Sequence, residues 1–118
     1  MTSAELAASE RRALREFVEY LHKHIESQVK HVALFGSKAR GDSGRDSDID
    51  VLIILREEDR QLRREILIQA ARLSLKHDVF LSPRVIGAER WEQMRGFSLY
   101  QNVQREATSL PMVGRSAT

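Results

Sequence analysis

Residues 34–54 read LFGSKARGDSGRDSDIDVLII and contain the two most informative motifs of the chain. An apolar run ends at Gly36 and Ser37, a polar turn rich in glycine follows, and a second apolar run begins with Asp48 and Asp50. Glycine turns that open a helix bind anions through their N–H groups, and paired carboxylates bind cations. This order of parts therefore predicts a site for phosphate and metal.

The second apolar run, residues 48–55, is rich in β-branched residues and predicts a strand that is covered on both faces. Because residues i and i+2 of a strand point to the same face, Asp48 and Asp50 project side by side while Ile49 turns into the core. Two adjacent carboxylates repel each other unless a proton or a cation lies between them. Hard oxygen ligands suit Mg²⁺ or Mn²⁺, so we expect a metal at this pair.

The glycine turn supplies the complementary half of the site. Gly36 permits a backbone turn that a side chain would block, and Ser37 offers a hydroxyl and an N–H at a predicted helix start. Such a start favours phosphate. Lys38 and Arg40 add positive charge, so the turn is expected to bind the phosphates of a nucleotide.

Two motifs, GSKARG at residues 36–41 and SDID at residues 47–50, resemble the signature of the DNA polymerase β-like nucleotidyltransferase superfamily. The resemblance extends from the helix before Val32 to Leu110. It implies an α/β fold with a small mixed β-sheet of three to four strands, helices packed on one face, and the site at the strand ends. Within the superfamily, the chain is similar to minimal nucleotidyltransferases, which are often encoded beside a HEPN-domain protein as the antitoxin of a toxin–antitoxin pair.

The resemblance also implies a third carboxylate on the third strand, where it helps to bind metal and can accept the proton of the attacking hydroxyl. Asp78 is the candidate for this position, beside Asp48 and Asp50 as catalytic and metal-binding residues. A shift of two residues in the alignment would instead place Phe80 there and leave the triad incomplete. Asp78 would then be a polar residue that ends a helix or opens a strand.

The reaction implied by the resemblance is transfer of a nucleoside monophosphate, AMP from ATP, with release of pyrophosphate. Gly36, Ser37 and Arg40 would hold the nucleotide phosphates, with Mg²⁺ or Mn²⁺ at the carboxylates. Larger relatives add a helical domain for the acceptor, so this chain is expected to receive its acceptor from a partner or from a homodimer. The expected partner is a HEPN toxin, modified on a tyrosine.

Composition sets the outer limits. The length of 118 residues, with 42% hydrophobic and 31% charged residues, predicts one domain over residues 1–110. Residues 111–118 are small and polar and predict a disordered tail. No apolar run approaches the roughly 18 residues of a membrane helix, and residues 1–10 lack a signal-peptide core, so a cytoplasmic location is expected. The chain contains no cysteine, which excludes thiolate chemistry and disulfides. A net charge of +2 does not predict nucleic-acid binding.

Periodicity predicts the remaining elements, in order: helix 3–27, strand 29–35, helix 57–76, strand 78–86, and helices 88–95 and 97–107. Pro83 implies that the third strand is an edge strand or carries a bulge. The histidines show no spacing typical of metal ligands, and three aromatic residues are expected in the core or an interface rather than against a base: Trp91, Phe97 and Tyr100.

Two other functions remain open at this point. The chain could be a binding module that neutralises a partner by covering its surface, with a vestigial nucleotide site. It could also bind or extend nucleic acid, although it shows neither an additional domain nor a basic stripe.

Overall fold

The computed structural model describes residues 6–41 and 48–110. The predicted tail over residues 111–118 and most of the polar turn between the two motifs lie outside these residues. The elements, in chain order, are α1 (Ala8–Ile25), a 3-10 turn (Glu26–Gln28), β1 (Val29–Phe35), α2 (Ser37–Arg40), β2 (Ile49–Leu55), α3 (Arg60–His77), β3 (Leu81–Gly87), α4 (Ala88–Gln93), α5 (Ser98–Glu106) and β4 (Thr108–Ser109).

The strands form one mixed sheet in the order β3-β2-β1-β4. β1 pairs antiparallel with both β2 and β4, whereas β2 and β3 are parallel. Parallel neighbours need a long crossover, and α3 provides it between β2 and β3. The predicted α/β class with a small mixed sheet is confirmed, and Pro83 lies on β3 at the edge of the described sheet, as its missing N–H predicts.

Alternate residues of β2 face two separate apolar clusters. The larger cluster contains the odd-numbered residues of β2, from Ile49 to Leu55, packed with residues of α1 and α3. Leu52 and Ile54 point the other way, into a smaller cluster with Trp91 of α4 and Val103 of α5. The strand is therefore buried on both faces, as its continuous apolar run predicts.

The helix arrangement differs from the prediction in one respect. The two long helices α1 and α3 cover one face of the sheet, but α4 and α5 pack on the opposite face. The short C-terminal helices carry enough apolar surface to bury a face that the prediction left open. Trp91 also stacks on Tyr100, with ring centroids 4.6 Å apart, whereas Phe97 is exposed rather than in the core.

Caps define where the long helices begin. Ala7 is the N-cap of α1, and its N–H donates to Glu10 Oε1 at 2.8 Å. Asp59 caps α3 by accepting a hydrogen bond from the Leu62 N–H at 3.0 Å. Over the part of the chain that the structure describes, none of the helices combines the length and the apolar character needed to cross a membrane.

Candidate nucleotide and metal site

The carboxylate pair lies at the beginning of β2. Ile49 is buried in the larger cluster, Asp50 is half-buried, and Asp48, which directly precedes the strand, is exposed. Strand alternation places Asp50 on the face that also carries Leu52, the face covered by α4 and α5. The site therefore opens on the side of the sheet opposite α1 and α3.

The surroundings of Asp50 favour a bound proton or cation. Burial raises the pKa of Asp50, the negative charge of Asp48 raises that pKa further, and the positive charge of Arg84 partly offsets both effects. Arg84 lies on β3 at the register of Leu52, on the same face of the sheet. A divalent cation between the two carboxylates would relieve their repulsion, and two carboxylates with water and substrate phosphates are an ordinary Mg²⁺ donor set.

Gly36 brings the glycine turn into contact with this pair. The residue before it, Phe35, pairs with Asp50 across β1 and β2. The φ angle of Gly36 is +79°, and a Cβ built at this position would collide with Asp50 Oδ2 and lie 3.3 Å from Asp50 Cγ. The two halves of the sequence motif therefore meet at one end of the sheet, and only glycine allows the contact.

We expect Gly36→Ala to lower the free energy of unfolding by about 1–3 kcal/mol, because the substitution adds a left-handed strain and a clash with Asp50. Gly96→Ala is the matched control, since a Cβ at Gly96 meets nothing within 4 Å. Urea unfolding of both variants measures the difference. Equal stability of the two variants would contradict the close packing of Gly36 on Asp50.

The predicted phosphate-binding residues are only partly described. The backbone of Ser37 and Arg40 forms α2 directly after Gly36, but the side chains of both residues lie outside the described part. The expectation that Lys38 contributes charge to the phosphate site is wrong. Lys38 is 2% exposed, and its Nζ lies 2.7 Å from Glu10 Oε2, so its charge is directed at α1. Lys38 and Glu10 are far apart in sequence, so no local sequence pattern predicts their contact.

The third predicted carboxylate is not brought to the other two. Asp78 is the C-cap of α3, exposed, with a left-handed backbone at φ 55°, and β3 begins only at Leu81. Among residues 6–41 and 48–110, no three histidine, aspartate or glutamate side chains are grouped so that they could hold a metal ion. The described residues therefore do not place Asp78 beside Asp48 and Asp50 as the third metal ligand that the sequence predicts. Aspartate tolerates the left-handed conformation that turns the chain out of α3, the helix-ending role left open above.

The register of the β2–β3 pair agrees with the alternative alignment, in which Phe80 takes the place of the third carboxylate. The Ile49 N–H donates to the Phe80 carbonyl at 2.7 Å, and Asp50 pairs with Ser82. Phe80 therefore lies beside Asp48 across the β2–β3 pair. Its neighbours Val79 and Leu81 are buried in the larger cluster, so the Phe80 ring points to the other face, where it is 61% exposed.

The histidines occupy ordinary surface and packing positions. His22 Nδ1 lies 3.4 Å from Glu26 Oε1, and the ring of His24 packs against Tyr20 at a centroid distance of 5.1 Å. His31 is exposed on β1.

A glycine turn against a carboxylate pair, at one end of a small mixed sheet, defines a class of phosphoryl-transfer domain. Residues 11–95 match the family model described as "Nucleotidyltransferase domain", and the chain belongs to that family. It is a nucleotidyltransferase.

Two relatives from Methanocaldococcus jannaschii have names that class them, by inference, as protein adenylyltransferases. MJ0604 is 32% identical over 102 residues, which are 86% of this chain and 98% of that protein. MJ0141 is 38% identical over 71 residues, which are 59% of this chain and 72% of that protein.

Solved structures share the fold. A toxin–antitoxin structure with AMP-PNP superposes with a TM-score of 0.55 at 21% identity, covering 93% of this chain and 77% of the other. A mutant of the toxin–antitoxin MntA–HpeT gives a TM-score of 0.54 at 21% identity, covering 86% and 74%. At 21% identity, this similarity shows a shared fold and nothing more.

Proposed function

We propose that this chain transfers AMP from ATP to a hydroxyl group of a partner protein in a metal-dependent reaction. The observation that carries the proposal is the contact between Gly36 and Asp50, which joins a glycine turn to a carboxylate pair. Three findings add support: the nucleotidyltransferase family, relatives classed as protein adenylyltransferases, and a structural neighbour with AMP-PNP. ATP as substrate also favours a cytoplasmic location.

Asp48 and Asp50 fit a divalent cation, Mg²⁺ or Mn²⁺. The pKa of Asp50 is raised by burial and by Asp48, so a cation that replaces the proton would stabilise the two carboxylates. Two carboxylates do not fill a Mg²⁺ coordination shell, which leaves positions for water and for the phosphates of the nucleotide. When bound, the cation supplies neutralisation of the phosphate charge.

The remaining roles fall to the turn that follows β1. The N–H groups at Gly36 and Ser37 would hold the β- and γ-phosphates, and Arg40 would add positive charge. The acceptor hydroxyl oxygen forms a bond to the α-phosphorus and releases its proton to solvent, the bond from the α-phosphorus to the bridging oxygen breaks, and pyrophosphate leaves. Position and charge neutralisation account for most of such a rate enhancement. We assign no part in it to Asp78.

We propose a HEPN-domain toxin as the partner and one of its tyrosines as the acceptor, so that AMP transfer makes this chain an antitoxin. The toxin–antitoxin structures with the same fold support a toxin partner. The exposure of Asp48 and Phe80 supports an acceptor that arrives from another molecule, since that side of the site is open in the described chain. A second copy of this chain is the other source of an acceptor.

The test is a transfer assay with ATP labelled at the α-phosphate, Mg²⁺, and the protein encoded by the neighbouring reading frame. We expect label on the partner with the wild-type chain and none with Asp48→Asn, because the amide removes one negative ligand of the cation. Chelation of Mg²⁺ with EDTA should have the same effect. A partner that remains unlabelled by the wild-type chain would refute protein AMP transfer.

One observation favours a second candidate, a binding module that neutralises its partner without chemistry. The described residues bring two carboxylates together rather than three, because Asp78 caps α3. Under this candidate, the wild-type chain and Asp48→Asn would form equally stable complexes and neutralise the partner equally. Loss of neutralisation in Asp48→Asn, with the complex intact, would exclude it.

A further inference from the structure

Phe80 is a large apolar side chain whose exposure the core does not explain. Its ring is 61% exposed, although the residues on either side of it are buried. Its backbone is fixed by the hydrogen bond from Ile49, at a position beside Asp48. An exposed aromatic ring on a hydrogen-bonded backbone next to a candidate reactive site is typical of an anchor that becomes buried when a partner docks.

The strand order gives this ring a direction relative to the chemistry. At the site end of the sheet, β1 ends at Phe35 and is followed by Gly36, Asp50 lies on β2, and Ser82 lies on β3. Neighbouring strands are about 4.8 Å apart. The glycine turn and Phe80 therefore lie on opposite sides of the carboxylate pair.

An in-line displacement makes these two sides chemically different. The attacking oxygen and the leaving oxygen lie on opposite sides of the reacting phosphorus. If the β- and γ-phosphates rest on the turn after β1, and the α-phosphate lies at the carboxylate pair, pyrophosphate leaves toward β1. The attacking hydroxyl then approaches from β3, where Phe80 is exposed.

We propose that Phe80 is the acceptor-side anchor of this site. Its ring packs on apolar atoms next to the hydroxyl that receives AMP and holds that segment of the partner protein over the carboxylates. This inference rests on the proposed function, because that function supplies the direction of transfer. Phe80 acts by positioning and donates or accepts no proton.

The test compares Phe80→Ala and the conservative Phe80→Leu with Leu75→Ala. Leu75 is 86% exposed on α3, which covers the opposite face of the sheet, so it controls for loss of an exposed apolar side chain. Three quantities are measured: the KM and kcat of transfer to the protein from the neighbouring reading frame, the Kd of that complex, and the Kd of AMP-PNP. Thermal unfolding confirms that each variant is folded.

We expect Phe80→Ala to raise the acceptor KM and the Kd of the complex about tenfold, as truncation of an aromatic anchor does. The AMP-PNP Kd and the kcat at saturating acceptor should stay within about twofold of wild type, and Phe80→Leu should recover much of the loss. Leu75→Ala should resemble wild type in all three quantities.

Three outcomes would overturn the inference. The first is an unchanged acceptor KM and complex Kd in Phe80→Ala, and the second is a loss of AMP-PNP binding equal to the loss of acceptor binding, which would place the ring on the nucleotide. The third is the absence of any complex with the wild-type chain. If the wild-type chain forms the complex but transfers no label, the proposed function fails while the effect of Phe80→Ala on the complex still decides the role of the ring.

Discussion

Asp50→Asn is expected to reduce AMP transfer by about 10²–10³-fold, the range found when one electrostatic group at a transition state is removed. The fold should survive, because the amide has nearly the same shape as the carboxylate and no longer repels Asp48. A transfer assay at saturating ATP measures the loss. If Asp50→Asn kept an activity within about threefold of wild type, Asp50 would have no role in the reaction.

The same substitution should change how stability depends on pH. Burial and the charge of Asp48 raise the pKa of Asp50, so the folded chain holds this proton more tightly than the unfolded chain does. The free energy of unfolding of the metal-free protein should therefore fall as the pH rises from the ordinary pKa of an aspartate through the raised value. Asp50→Asn lacks this fall and should be the more stable protein at neutral pH.

Urea unfolding between pH 4 and pH 7, with EDTA present, checks the sign. Asp48→Asn is the matched control, because it removes the charge that raises the pKa of Asp50 but leaves the burial of Asp50 in place. Its pH dependence should lie between those of wild type and Asp50→Asn. Added Mg²⁺ should stabilise the wild type at neutral pH and have little effect on either variant. If the metal-free wild type were more stable than Asp50→Asn at neutral pH, the result would contradict the repulsion between the carboxylates.

Lys38→Met is expected to destabilise the fold by about 3–5 kcal/mol, because it leaves the Glu10 carboxylate buried without its lysine. The pair is almost fully withdrawn from water, with side chains 3% and 10% exposed and 2.7 Å between Nζ and Oε2. Chemical denaturation measures the loss. An effect of that size is a large part of the stability of a small domain.

Two further variants isolate the charge. Lys38→Met combined with Glu10→Gln removes both charges of the buried pair, and the amide oxygen can still accept from the Ala7 N–H, so much of the stability should return. Lys76→Met breaks a pair with Glu16 at 3.0 Å in which the lysine side chain is 62% exposed, and it should not change stability measurably. Similar losses for Lys38→Met and Lys76→Met would show that burial of the Lys38 pair has no energetic weight.

Local rules of the chain were sufficient to predict where three residues of the candidate site lie in the fold. Strand alternation places Asp48 and Asp50, and the backbone freedom of glycine places Gly36; the structure adds that Gly36 packs against Asp50. Long-range packing determined the features that the sequence could not reveal. The partner of Lys38 comes from α1, and the second apolar face of the sheet is covered by α4 and α5.

Asp78 shows where a local rule is ambiguous. A polar residue between a helix and an apolar run can end the helix or open the strand, and the choice depends on how far α3 continues. The helix includes His77, so Asp78 becomes its cap and the strand begins at Leu81. Phe80 then occupies the position beside Asp48. A shift of one residue in the end of the helix therefore changes which residue is assigned to the third position of the site.

Pro83 has a consequence for how this protein behaves at high concentration. β3 is the edge strand of the described sheet, and an unpaired edge is a template on which strands of other molecules can add and aggregate. Proline has no N–H to offer such a strand, so the hydrogen-bond ladder of an intermolecular sheet is interrupted in the middle of β3. The edge next to the carboxylate pair is thereby protected against the addition of strands from other molecules, and its open face stays available.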